Sequence, residues 1–411
     1  MLVKLAWRNL WRNKLRTSIM LGAMVFGLSG LALMMGFMSG MVDNMIDNAI
    51  KWQISHIQIH NHRFTENPDI EDTIEDAQTL ITAIEQNPDV KYWSARFVVD
   101  GMIGSARSNR GVQINGVDPD AEAQITPLAE NLIAGEWLDY QGRNPVLVSE
   151  KIASRLRLKT GSKVVLTFTN GEGEVTGAAF RVKGIFKTPS SAFDEGNVLV
   201  RIQDLQKVAG MDGVHEIALL LKGELAANSD ARLKKVTAGL SNAASDKTLV
   251  RSWTQVQPLL ASMINTMAVS NAIMLGIFVL AMGFGIVNIM LMSVFERTQE
   301  IGVLMAVGMT RAKVFVLIIL ESFWLGVCGA GLGVAVCILL MSVLQVTGLS
   351  LGSMAEGLGA YGVDTLLYPR VSAAEYQVVF ISVVLASILA AVYPARQILK
   401  KSPAEAMAEK H

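Results

Sequence analysis

The sequence predicts a membrane protein in which four transmembrane α-helices carry a large α+β extracytoplasmic domain between the first and second helices. Three observations predict it. Residues 17–42, 252–295, 322–355 and 376–395 contain no charged side chain, and a bilayer-spanning helix needs about 20 mostly apolar residues. Only 18% of the 411 residues are charged, against about 25% in ordinary soluble proteins, and the deficit is concentrated in those stretches. Residues 43–251 have a mixed soluble composition, enough for one large domain or two small ones.

The chain begins with Lys4, Arg8, Arg12, Lys14 and Arg16 and no acid before residue 43. On a helix, Val3, Trp7, Leu10 and Trp11 share one face with Lys4, Arg8 and Arg12 beside them. Such a helix lies in the headgroup layer, indoles inward and cations outward; alternatively these residues are the flanking anchors of the first span. The first apolar run is longer than the roughly 7–15 residues of a signal-peptide core, so an uncleaved anchor is expected. The four spans are placed at 18–40, 266–293, 314–343 and 376–395.

Cytoplasmic flanks are enriched in Lys and Arg. The N-terminal segment, the linker between spans two and three (Arg297, Arg311, Lys313) and the tail (Arg396, Lys400, Lys401, Lys410) are cationic. The linker between spans three and four has Arg370 alone. Both termini and the middle linker are therefore expected in the cytoplasm. The chain divides into 1–42 (amphipathic helix and span one), 43–262 (external domain with stalk) and 263–411 (spans two to four, a linker helix at 296–308 and the tail).

Inside the external domain, 76–86, 150–158 (capped by Ser149) and 230–240 carry helix signals. Residues 97–99, 112–114 and 216–221 read as strands. Residues 163–169 and 179–186, joined by a turn at 170–173, read as a hairpin. This mixture predicts α+β. Residues 42–52 and 253–267 look helical and would extend spans one and two outward as a stalk. Cys328 and Cys337 both fall in span three, about 13 Å apart along a helix, too far for a mutual disulfide.

The stretch "HIQIHNH" places His56, His60 and His62 close together. As a strand it would point Ile57 and Ile59 one way and His56, Gln58 and His60 the other, with His60 and His62 on one face. A solvated strand face is favoured over a metal site, which would need a further ligand. No paired carboxylates, Cys–His spacing or nucleophile elbow points to catalysis, and nothing points to nucleic acid. The phosphate-cradling loop G-x-x-x-x-G-K-[ST] is missing, since "KTGSK" at 159–163 lacks the glycine spacing and reads as a turn entering a strand. Glu321 lies about two turns into span three. An ionisable group there is either bundle-facing and functional or reaches the interface. Gly329 and Gly333, beside Gly326 and Gly331, form a small-residue stripe for close helix packing, as do Gly36 and Gly40 in span one.

The most specific stretch is "ERTQEIGVLMAVGMTRAK", 296–313. On a helix, Ile301, Leu304 and Met305 make an apolar patch, preceded by Glu296, Arg297 and Glu300 and flanked by Gly302 and Gly308. The patch would insert into a groove on a cytoplasmic partner, or rest on the lipid surface.

The pattern E-R-x-x-E-I-G-x-L-x-A-x-G, matched by Glu296, Arg297, Glu300, Ile301, Gly302, Leu304, Ala306 and Gly308, resembles ABC-transporter permeases of the FtsX, MacB and LolC/LolE type. "ESFWLGVCGAGLG" (321–333), "YPARQILKKSPAEAM" (393–407), "VQINGVDPD" and "VLVSEKIASRLRLKTGSKV" are similar to the third span, tail and MacB-like periplasmic core of that family. Met305 departs from it, since many relatives have Arg or Lys there. The resemblance implies a permease subunit, not an enzyme, in a bacterial inner membrane. It implies mechanotransmission: a separate cytoplasmic P-loop ATPase dimer binds ATP and Mg and docks on 296–308. A second permease chain, identical or related, completes the core, and this chain needs no cofactor. Among these permeases the chain most resembles the lipoprotein-releasing LolC/LolE type, which implies a lipoprotein or lipid cargo and a periplasmic acceptor. Spans one and two would form its entrance, where Met34, Met35, Met38, Met41, Met263 and Met267 cluster. Flexible thioethers suit varied acyl chains, and ordinary helix packing explains them equally well. MacB-like efflux and FtsX-like signalling to a cell-wall hydrolase are the alternatives.

Overall fold

The computed structural model describes residues 2–223, 231–352, 355–359 and 362–399. It separates into two compact units. One contains residues 1–41, 265–349 and 368–411, and the other residues 42–264 and 350–367. The tail cations Lys400, Lys401 and Lys410 lie outside the described residues.

The first unit is a helical bundle. Its N-terminal helix, Leu2–Leu10, precedes the helix of span one, which runs unbroken from Lys14 to Ala49. Span two is Pro258–Glu296, span three Arg311–Thr347 and span four Ala373–Leu399. All four are long and apolar enough to cross a membrane, so the protein is multi-pass. They run past the expected spans at both ends, because flanking residues add helical turns. At the start of span two the expected continuous helix over 253–267 is interrupted. A short helix, Trp253–Val256, is capped by a reciprocal Ser252–Gln255 box, and the chain restarts at Pro258. Proline suits a first helical turn, where its missing N–H would have no helical partner, but not an interior.

The glycine stripe of span three does what small residues do in lipid, letting backbones approach. A Cβ at Gly329 would lie 2.5 Å from the Met24 sulfur of span one, and one at Gly326 would lie 2.6 Å from Ser387 Oγ of span four. Gly333 is packed against Leu28. Gly331 meets nothing. Gly36 and Gly40 seat span one against Met341 and Val371 and against the Tyr368 carbonyl, respectively.

The second unit is built on a ten-stranded sheet in the order β10-β1-β9-β2-β3-β8-β5-β7-β4, with β6 pairing β2 and β7. The strands are β1 Ile57–Asn61, β2 Val90–Gly104, β3 Asn109–Val117, β4 Leu132–Gly135, β5 Pro145–Ser149, β6 Lys163–Thr169, β7 Val175–Phe186, β8 Asn197–Arg201, β9 Glu216–Leu221 and β10 Thr248–Ser252. The pairings β2–β3, β3–β8, β8–β5, β5–β7, β7–β6 and β6–β2 return to their start, closing a small barrel. Its interior is filled by Phe97, Ile114, Val148, Leu166, Phe180 and Val200 among others. The long strand β2 leaves this barrel at its first half and pairs there with β9, which continues to β1 and β10. The predicted hairpin 163–186 and strand 216–221 are present, and Ser149 caps Glu150–Leu156 through the Ile152 N–H at 3.1 Å.

The histidine-rich stretch differs from its expectation. Strand β1 is buried along its whole length, between β9 and β10, so it is not a solvated face. His60 is 6% exposed, with Nε2 3.2 Å from Glu216 Oε2. His62 leaves the strand to begin the short helix His62–Glu66. Among the described residues no three His, Cys, Asp or Glu side chains are grouped to hold a metal ion.

Candidate functional site

The linker helix, Thr298–Ala306, joins spans two and three. It starts after Arg297, whose backbone leaves the helical region, and Thr298 donates its hydroxyl to the Phe295 carbonyl at 2.7 Å. It ends at Gly308, whose φ of +103° only glycine adopts cheaply, with the Met309 N–H returning to the Leu304 carbonyl at 2.9 Å. Its apolar side is turned opposite to the expected direction. Ile301 is 8% exposed and packs with Val294, Val314 and Ile318 of the bundle core, with Met305 against the same cluster. Leu304 faces a small crevice shared with Leu317 and Ile318, and Gly302 is buried. The bundle itself therefore supplies the groove for the Ile301 face. The outward face consists of Val303, Ala306, Val307 and Gly308, with Val303 51% and Val307 83% exposed.

The two acids of the linker, Glu296 and Glu300, pair with arginines 280 and 288 positions away. Arg12 grips Glu300 with both terminal nitrogens, at 2.8 and 2.9 Å, and Arg16 pairs with Glu296. Arg297 bridges Glu300 at 3.3 Å and Glu321 at 3.2 Å. Asn9 donates to Glu321 at 2.6 Å. Glu321 is thus bundle-facing and 8% exposed, an intramembrane carboxylate held by a cation and an amide, as such groups must be. The chain Asn9–Glu321–Arg297–Glu300–Arg12 ties the N-terminal helix, the linker helix and span three into one polar network. The Arg12 hydrogen bond, opposed by partial burial and aided by Arg297, holds the Glu300 carboxyl below its usual range. Its guanidinium is correspondingly raised, again chiefly by that hydrogen bond. Glu296, Arg297 and Glu300 stand out in the sequence, but their partners do not. The available signal was spacing: Arg12 and Arg16 are four apart, and so are Glu296 and Glu300.

The methionines assigned to a lipid entrance differ in exposure. Met34 is 47% exposed, Met35 is buried, and Met38, Met41, Met263 and Met267 are half-buried. The crevice between spans one and two is lined instead by Met20, Met24 and Met282.

In the sheet domain, the helix that begins at Lys14 ends in a π-helical turn, Ile50–Ile54, a form that often marks functional positions. Trp52 of this turn inserts into a cluster with Val117, Leu128, Leu147 and Phe186. Arg96 of β2 is buried beneath it. It donates to Glu122 at 2.7 and 3.0 Å, to Glu216 at 2.6 Å and to the Gln53 carbonyl at 3.2 Å. Burial alone would raise the Glu216 carboxyl, but the Arg96 charge and the His60 hydrogen bond hold it down at about 2. A cavity of about 210 Å³ lies beside this cluster, between Trp52, Phe193 and Asn115. The segment between spans three and four, residues 350–367, belongs to the same unit. Asn44 donates to Asp364 at 2.9 Å and Asn48 to the Gly362 carbonyl at 2.7 Å.

Gln53 also reaches Ser190 Oγ, at 3.3 Å, on the turn organised by Asp194. That carboxylate accepts the Thr188 N–H at 3.1 Å and its hydroxyl at 2.8 Å. Burial pushes it up to about 6 against these bonds. Between the ordinary value near 3.8 and about 6 the native state holds more protons than the unfolded chain. Stability must then fall as pH rises across that window. Thermal unfolding of the full chain from pH 4 to 7 is expected to show this fall, and Asp194→Asn to flatten it. An unchanged slope in the variant would remove Asp194 as its source.

Comparison with known proteins gives two family matches. Residues 17–238 match the MacB-like periplasmic core domain, and residues 272–403 the FtsX-like permease C-terminal region. The lipoprotein-releasing system transmembrane protein LolC of Neisseria meningitidis is 24% identical over 356 residues, 82% of this chain and 83% of that protein. LolC of Xylella fastidiosa is 22% identical over 247 residues, 59% of this chain and only 58% of its own length. The macrolide export ATP-binding/permease protein MacB of Brucella abortus is 35% identical over 105 residues, 26% of this chain and 16% of that protein. The solved periplasmic region of MacB from Actinobacillus actinomycetemcomitans gives a TM-score of 0.36 at 13% identity, covering 52% of this chain and 94% of that one.

Proposed function

Because the chain belongs to the ABC-transporter permeases that join a MacB-like periplasmic core domain to an FtsX-like C-terminal region, we propose that it transmits force across the bacterial inner membrane. Both termini and the linker helix lie in the cytoplasm, where a separate P-loop ATPase dimer binds ATP and Mg. A second permease chain completes the core. Closure of the ATPase moves the linker helix, and the cargo is acted on outside without crossing the bilayer. The observation that carries this reading is the network Asn9–Glu321–Arg297–Glu300–Arg12. A linker helix only resting on lipid has no need to be fastened to two other helices through charge. Fastened so, it moves them when it moves.

The docking face of this proposal is Val303, Ala306 and Val307, since Ile301 is already buried by the bundle. Val303→Asp with Val307→Asp is expected to abolish co-purification of the ATPase while leaving membrane insertion intact. Undiminished co-purification with full activity would refute the assignment. For cargo, the likeness to lipoprotein-releasing relatives over most of the chain supports extraction of a lipoprotein or lipid from the outer leaflet and its delivery to a periplasmic acceptor. The match to a macrolide exporter over 105 residues supports a second reading, efflux. Crosslinking the external domain in cells separates them, by capture of lipoproteins in the first case and of an outer-membrane duct in the second.

A further inference from the structure

Spans one and two touch where Gly27 lies under the Phe278 ring, a Cβ there coming within 2.8 Å. From that point toward the linker helix they enclose a crevice of about 230 Å³, lined by Met20, Met24, Phe278, Met282, Gly285 and Ile289. The crevice runs along a single line on each helix. Arg16 is one turn before Met20, and Glu296 is two turns beyond Ile289, on the same faces. Their ion pair therefore closes its far end. The N-terminal helix lies along span three, and its end forms the sill: Leu10 and Ile289 pack on the cluster of Met20, Leu21 and Leu325. The Thr17 hydroxyl on span one donates to the Leu10 carbonyl at 2.5 Å.

On and beside this sill Lys4, Arg8 and Lys14 are exposed, and none of them pairs with an acid among the described residues. Arg12 and Arg16 are occupied by Glu300 and Glu296. Trp7 on that helix and Trp11 just after it are 40% and 37% exposed, as suits residues at the headgroup level.

The geometry points to a bound anionic phospholipid, drawn from the leaflet at the linker-helix end, with one acyl chain in the crevice and its phosphate among Lys4, Arg8 and Lys14. The lining side chains offer hydrogen bonds to no peptide or ion, and the surroundings at that depth are hydrocarbon. Cations at the mouth select a negative headgroup. Such a lipid is resident, not cargo: it wedges the linker-helix ends of spans one and two apart beside the Arg16–Glu296 pair. The inference rests on the bundle lying in a bilayer and not on the ATPase partner, so its test reads lipid retention, independent of activity.

The full chain, purified from membranes and relipidated with phosphatidylglycerol or phosphatidylcholine, is examined by native mass spectrometry. Wild type is expected to retain one phosphatidylglycerol at least tenfold more than phosphatidylcholine. Gly285→Trp fills the crevice, and a Cβ at Gly285 meets nothing within 4 Å, so it is expected to fold and to lose retention of both. Lys4→Gln with Arg8→Gln and Lys14→Gln is expected to lose the preference and keep weak binding. Equal retention of both lipids by wild type, or wild-type retention in the Gly285→Trp chain, would overturn the proposal. So would efficient crosslinking between two copies carrying Ala281→Cys, which would show a second chain in the crevice.

Discussion

Replacing Arg96 by methionine is expected to destabilise the sheet domain by about 3–5 kcal/mol, the cost of removing one partner from a buried ionic group. Arg96 is 7% exposed and Glu122 1% exposed, so Glu122 cannot turn to water when the guanidinium is gone, and the Glu216 side chain, 13% exposed, can do so only in part. The loss is specific to the broken set. Replacing Arg96, Glu122 and Glu216 together with apolar residues of similar size is expected to recover most of it. Thermal unfolding of the full chain in detergent measures both. The pH dependence carries a second signature. Glu216 is held at about 2, below its usual 4.5, so its contribution is present above pH 4.5 and is lost as pH falls through 2. In Arg96→Met that acid-side loss is expected to shrink, because only His60 is left to hold the Glu216 carboxyl down. The Gln53 carbonyl also loses its donor, so the π-turn at the end of span one is expected to loosen, with faster amide exchange at 50–54.

Reversing Arg12 to glutamate is expected to cut coupled ATP hydrolysis on the order of tenfold, a typical coupling effect, because a carboxylate at position 12 would repel Glu300 and release the linker helix that Arg12 now grips. Glu300→Arg is expected to do the same by facing Arg12 and Arg297. The exchange of both charges should restore coupling in part, since an arginine at 300 would still face Arg297. Stability should barely change in any of the three. The Arg12 and Glu300 side chains are 55% and 49% exposed, and exposed pairs contribute roughly 0.2–1 kcal/mol. That separation matters: a network kept for stability would show in the melting temperature, and one kept for transmission shows in the rate. Failure of the double exchange to rescue would mean that the two residues act through other partners.

How much of this was legible in the sequence depended on how far apart the interacting groups lie along the chain. The four spans were visible because exclusion of charge from hydrocarbon is a local constraint. Strand β9 and the hairpin β6–β7 were visible because composition and a turn mark them. Strands β5 and β8 were not. Val146–Leu147–Val148 and Val198–Leu199–Val200 are buried on both faces and so carry no alternation, the period that marks a half-exposed strand. The buried histidine strand β1 reads as solvated for a related reason. Its polar side chains point at Glu216, about 156 positions away, and a polar face looks solvated until its partner is known. The linker motif supplied the right acids, but the partners of Glu300 and Glu296 lie 288 and 280 positions earlier. The amphipathic pattern of the linker helix fixed which side chains share a face. Whether that face meets a partner or the bundle was decided by Val314 and Ile318, which tertiary packing brings beneath Ile301.

Force transmission of this kind requires the linker helix and the sheet domain to lie on opposite sides of one membrane. Single cysteines at Glu172 and Val307, both exposed, introduced into chains whose Cys328 and Cys337 are replaced by alanine, test this directly. A membrane-impermeant maleimide applied to intact spheroplasts is expected to label position 172 at once and position 307 only after permeabilisation. Labelling of both positions before permeabilisation would contradict it.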